Sequence, residues 1–330
     1  MSKFAAGSRA AARRVATVLV TAGVVSALLA GCGGGDPVQD YVPTRIIALG
    51  DETSVITNEG RKYTVNALKS DNTTLDCASN PIWVQTIANS FGLVFPQCNP
   101  NAVASPLSRI LAVPGATVAG LTAQLDAQLQ TGDGLSSRDM VTVLVGTHDV
   151  LAQYRQFSAG TLNAAQATAA VEAAGDALAV QVNRIAATGA KVVLAKVLDL
   201  GQTPYGLAQK ATFTDIDRAA FLTSLAARFN ARLRVGIVND GRKIGLVQSD
   251  ERLQTIVRFA SSFGFTNVTQ AACLASVTAP NCTTLTLGTD SGGAAASGST
   301  WLWADELNLS AGGQARLGEI GESVARNNPF

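Results

Sequence analysis

Two short stretches set acid–base side chains beside glycines, Gly50-Asp51-Glu52 and Gly146-Thr147-His148-Asp149, and a third glycine turn stands at Pro114-Gly115. His148 is the only histidine in the chain, so imidazole chemistry near neutral pH has to run through it. Glu52 can pair with His148 as an ion or exchange a proton with it. Together with Asp305 and either Asp51 or Asn308, the two would also make an oxygen-and-nitrogen set of the kind that holds Zn²⁺ or Mn²⁺ with one position open. Thr53 and Ser54 are the nearest hydroxyls for a nucleophilic role.

Five apolar, β-branched runs must carry these groups: RIIALG from Arg45, RILAVPG from Arg109, MVTVLVG from Met140, KVVLAKVLDL from Lys191 and KIGLVQSD from Lys243. Their hydrophobicity is continuous rather than alternating, so both faces of each strand are expected to be covered. Helical patterns lie between them. One starts at Thr117, one runs from Asn163 to a stop at Gly189, one starts at Thr214, and one closes the chain from Ser310. Strands alternating with helices predict an α/β fold, a three-layer sandwich around a parallel five-stranded sheet. Ligands of such sheets sit beyond the C-terminal strand ends, which is where Glu52, Gly115 and His148 fall. The stretch CTTLTLGTDSGGAAASGST, from Cys282 to Thr300, reads as a flexible loop. Nothing after Gly50 completes a phosphate-binding loop.

The chain has 330 residues, 47% hydrophobic and 15% charged, enough to bury a sizeable core in one large domain. Its first 31 residues carry Lys3, Arg9, Arg13 and Arg14, then the apolar run VATVLVTAGVVSALLAG leading into Cys32. This is the pattern of a signal peptide. The ending Leu29-Ala30-Gly31-Cys32 resembles a bacterial lipobox, in which Cys32 is acylated. The expected organisation is a lipoprotein signal peptide over 1–31, a flexible tether over 32–43 and one α/β domain over 44–330. Lipid anchoring in the cell envelope follows, and Gly33 after the cysteine favours the outer membrane, facing the periplasm. Removing four basic residues and no acidic ones takes the formal charge from +1 to −3, which argues against a nucleic-acid partner. Cys77, Cys98, Cys273 and Cys282 remain, and an even number in an exported chain points to disulfides with three possible connectivities. The local pairs Cys77–Cys98 and Cys273–Cys282 are favoured, because each closes a segment rich in turn residues. Without a C-x-x-C spacing or a histidine neighbour, these thiols are not expected to bind metal.

At the glycine-flanked stretches the chain resembles the GDSL or SGNH family of esterases and lipases. That family's G-D-S-L-S block stands here as Gly50-Asp51-Glu52-Thr53-Ser54, its oxyanion-hole glycine as Gly115, its G-x-N-D block as Gly146-Thr147-His148-Asp149, and its final D-x-x-H block as Asp305-Glu306-Leu307-Asn308. The resemblance implies a flavodoxin-like SGNH hydrolase fold and a site for acyl transfer, with serine as nucleophile, histidine as base and aspartate orienting it. Glu52 then holds the nucleophile position and Asn308 the base position, with Asp305 as the orienting acid. Asp51, Ser54, Gly115, Gly146 and His148 surround the oxyanion hole.

These substitutions remove the chemistry. An asparagine amide has no lone pair basic enough to take a proton near neutral pH. A glutamate puts negative charge where an oxyanion must develop. The family spacing is that of a triad and not of metal ligands, so a Glu52–His148 ion pair is expected, with no metal and no cofactor. Ser54 is expected as a capping residue, and Trp301 and Trp303 as packing beside the sheet. The expected function is a pseudo-esterase binding a small ester, acyl or glycan ligand or a protein partner. An active ester hydrolase using a displaced serine or a metal-bound water is the alternative, and an envelope scaffold is the third reading.

Overall fold

All five β-branched runs become strands in the structure, a computed structural model that describes residues Tyr41–Phe330. They are β1 (Arg45–Gly50), β2 (Arg109–Ile110), β3 (Asp139–Leu144), β4 (Lys191–Ala195) and β5 (Ile244–Val247). Every pairing is parallel, in the order β2-β1-β3-β4-β5. The direction of winding reverses between β1 and β3, and it is at such a switch point that open α/β sheets bind ligands. The expected Cys32 anchor and the signal peptide lie outside the described residues.

Helices cover both faces. They are α1 (Trp83–Ser90), α2 (Val118–Leu129), α3 (Thr147–Ser158), α4 (Ala164–Ala187), α5 (Pro204–Thr212), α6 (Arg218–Gly236), α7 (Ser249–Arg258) and α8 (Ala311–Asn327). Successive strand side chains point to opposite sides. Ile47, Leu49, Val141 and Val143 therefore join Leu121, Tyr154, Leu178 and Phe229 in one core. Ile46, Ala48, Met140 and Val193 join Trp83, Ile87, Leu253 and Leu317 in the other. Each fully buried aliphatic side chain contributes roughly 1.5–3 kcal/mol, and the two cores together make the three-layer sandwich.

Local signals set the helix starts. The side chains of Thr117, Asn163 and Ser310 accept hydrogen bonds from the amides of Gly120, Gln166 and Gly313, satisfying donors that a first turn leaves free. The helix expected from Thr214 begins instead at Arg218, because Asp217 accepts from the Ala220 amide and is the better cap. Of the RILAVPG run, only Arg109 and Ile110 keep regular register with β1. Leu111 and Ala112 both donate to the Ala48 carbonyl, a distortion that ends the strand ahead of Gly115.

Both cysteine pairs form as expected, Cys77 with Cys98 and Cys273 with Cys282, 21 and 9 residues apart in sequence. Restricting the unfolded chain in this way adds about 3 kcal/mol for each loop. The segment from Cys282 to Thr300, expected from its composition to be a flexible loop, carries several backbone hydrogen bonds. Gly288 donates to the Ala272 carbonyl and Ala296 to that of Gly288, while Asp290 accepts from the amides of Gly292 and Ala294. It leads into β7 (Trp301–Trp303), which pairs parallel with β6 (Asn267–Ala271) in a second, two-stranded sheet. Trp301 and Trp303 are buried there, the latter donating its indole N–H to the Val268 carbonyl at 3.0 Å. Among the described residues no helix is long and apolar enough to cross a membrane.

Candidate functional site

Gly50 ends β1 at φ +133°, and a Cβ there would lie 1.9 Å from the Leu144 carbonyl oxygen. Only glycine permits this approach, which lets the Asp51 amide donate to that same oxygen at 3.1 Å. The Gln124 side chain clamps the turn from the other side, accepting from the Gly50 amide at 2.8 Å and donating to its carbonyl at 2.9 Å. Residues Glu52–Ser54 then form one turn of 3-10 helix, capped by Asp51, whose carboxylate accepts from the Thr53 amide. Asp51 and not Ser54 is thus the cap. Ser54 is fully buried and its hydroxyl accepts from the Trp83 indole at 3.0 Å, because the turn rotates it away from Glu52 and into the core.

His148 comes from the other side of the switch point. Gly146 links β3 to α3 at φ +124°, with space for a Cβ already filled by the Phe229 ring at 2.5 Å. The next turn carries His148 to Glu52, with Nε2 2.7 Å from Oε1 and 2.8 Å from Oε2. The Gly115 amide donates to the same carboxylate at 2.9 Å. Asp149 accepts from the Val118 amide at 3.0 Å, tying the first turn of α2 to that of α3 and fixing Gly115 and His148 relative to one another.

Electrostatics follow from this geometry. Burial pushes the Glu52 carboxyl up, but the hydrogen bond and charge of His148 and the Gly115 amide outweigh it and hold the group below the usual glutamate value. The hydrogen bond to Glu52, opposed by burial and reinforced by the charges of Glu52 and Asp51, raises His148 above the usual imidazole value. Burial, with the neighbouring Glu52 charge, pushes Asp51 up to about 7, and its Oδ2 has no hydrogen-bond partner among the described residues. Both shifts favour the charged pair of glutamate with imidazolium, and the carboxylate takes up the Gly115 amide and the His148 ring nitrogen.

The last block keeps its internal contact. Asp305 accepts from the amides of Leu307 and Asn308, and from the Asn308 side-chain amide at 2.9 Å. Asp305 thus holds the side-chain amide of Asn308. Glu52, Gly115, Asp305 and Asn308 all line one cleft of about 850 Å³, whereas Ser54 faces the core. Among the described residues no three His, Cys, Asp or Glu side chains gather as metal ligands. Sequence reasoning missed the cleft's outer wall, made by Tyr63 and by the loop that the Cys273–Cys282 bridge closes. The close cysteine spacing was the available signal.

The family model for GDSL-like lipase/acylhydrolase matches residues 54–320, so the chain belongs to that family. The match begins two residues beyond Glu52. Among solved structures, the chain is similar to Axe2, an acetylxylan esterase from Geobacillus stearothermophilus, at 11% identity over 86% of this chain and 96% of that one, with a TM-score of 0.41. TesA is similar at 15% identity over 86% of this chain and 98% of that one, with a TM-score of 0.36. A search of curated proteins gave no significant match.

Proposed function

We propose that this chain is a pseudo-esterase of the cell envelope, which holds an ester, acyl or glycan ligand, or a protein partner, in its cleft without turning it over. The observation that carries this reading is the Glu52 carboxylate seated on the Gly115 amide and on His148. A substrate carbonyl entering such a site meets a negative charge where its own must develop, and it meets no nucleophilic serine. The amide of Asn308 adds no base. A displaced nucleophile gains no support from Ser54, whose hydroxyl is buried against Trp83. Purified protein should leave short-chain nitrophenyl esters unhydrolysed above background, with or without a chelator. Turnover that survives the chelator would restore the serine-hydrolase reading, and turnover abolished by it would point to a metal-bound water.

Anchoring belongs to the same proposal and rests on the lipobox-like sequence at Cys32. Acylation needs the thiol. Cys32→Ser is expected to move the protein out of the membrane fraction, and unchanged fractionation and migration would remove the lipid anchor from the account.

A further inference from the structure

The cleft of about 850 Å³ lies at the sheet's switch point, and its walls narrow the class of molecule it can take. Glu52, Asp305 and Glu306 contribute carboxylates, and among the described residues lining it there is no lysine or arginine. The one imidazolium in contact with this set, His148, is committed to Glu52. Asp305 spends its oxygens on Asn308 and two amides, while Glu306 is exposed and its side chain makes no hydrogen bond or ion pair among the described residues. The same lining includes Tyr63 and the apolar residues Leu274 and Val277.

An anionic ligand would bring its charge into a cleft lined by three carboxylates, with no lysine or arginine in that lining to receive it. A positively charged organic group meets the opposite field, and the lining includes an aromatic residue, Tyr63, of the kind that partners an alkylammonium. We infer that the cleft selects an ester or acyl compound bearing an organic ammonium group, and that it rejects free carboxylates. This rests on the non-turnover reading of the same site and specifies its ligand.

Calorimetric titration of the whole purified protein with three probes tests this: butyrylcholine, its uncharged isostere 3,3-dimethylbutyl butyrate, and hexanoate. Butyrylcholine should bind about tenfold or more tightly than the isostere, with hexanoate weakest, and the preference should shrink in about 0.5 M sodium chloride. Glu306→Gln should lower the preference for butyrylcholine while leaving binding of the isostere unchanged, which separates lost charge from lost folding. Equal binding of butyrylcholine and the isostere, tighter binding of hexanoate, or no binding of butyrylcholine would each overturn the inference. Hydrolysis of bound butyrylcholine would instead defeat the non-turnover reading and leave the charge preference standing, so the two failures are distinguishable.

Discussion

Serine esterase activity should appear when Glu52→Ser, His148→Asn and Asn308→His are combined, and in none of the three single variants. Losing the nucleophile or the base of a triad costs on the order of a million-fold in turnover, so restoring one without the other gains nothing. The remaining parts are in place. Asp305 Oδ2 already lies 2.9 Å from the side-chain nitrogen at position 308, where an imidazole N–H would donate to it. The Gly115 amide, released from the Glu52 carboxylate, becomes free to stabilise an oxyanion, and an amide at position 148 supplies a second donor. Activity on nitrophenyl acetate is expected to exceed that of the parent by about a hundredfold or more, well short of a natural enzyme because the supporting residues were not selected for catalysis. The product serine should label with a fluorophosphonate. A triple variant that folds but neither labels nor turns over would show that the cleft no longer has acyl-transfer geometry.

The second large effect concerns stability. Glu52 and His148 side chains are 10% and 22% exposed, so removing the imidazole strands a carboxylate that is poorly solvated. His148→Ala should destabilise the fold by on the order of 2 kcal/mol at its largest. The pH dependence has a definite sign. Because the folded His148 value is raised above 6.5, its contribution is complete below 6.5 and is lost as pH rises through the folded value. Because the folded Glu52 value is lowered below 4.5, its contribution is complete above 4.5 and is lost as pH falls through the folded value. The difference between parent and variant should therefore peak between pH 4.5 and 6.5.

Neighbouring groups are coupled to this pair, the His148 charge lowering Asp51 and the Asp51 charge raising His148. Asp51, pushed up to about 7 from 3.8, lowers the stability of the parent as pH rises across that interval. Arg155 opposes protonation of His148, and Asp149, itself raised by burial, lies beside it in α3. Chemical denaturation across pH measures the difference directly, and a flat difference profile would mean that the two groups are not an ion pair in solution.

Much of this arrangement is legible in the sequence because its causes are local. Continuous apolar runs reveal the five strands, since a strand covered on both faces cannot alternate. Thr117, Asn163 and Ser310 mark their helices because a side-chain oxygen ahead of an apolar period is what a first turn requires. Resemblance places Glu52, Gly115 and His148 together, and the structure adds that one carboxylate takes up both donors. The position of Ser54 is less legible. Its role depends on Trp83, 29 residues away, reaching back to its hydroxyl, a tertiary contact with no sequence spacing of its own. The contacts of the Cys282–Thr300 segment are not legible in its glycine, serine and alanine, because they are backbone bonds to Ala272 and bonds to the Asp290 carboxylate. Short helices such as α1 and α5 carry too few turns for their periods to stand out.

Because His148 is the only histidine, a proton NMR titration of the tag-free domain follows its imidazole with no assignment problem. Glu52 seated in the oxyanion hole predicts a titration midpoint clearly above 6.5, falling back toward the ordinary value in Glu52→Gln. A midpoint at or below 6.5 in the parent, unchanged by Glu52→Gln, would contradict the ion pair and with it the filled oxyanion hole on which the account rests.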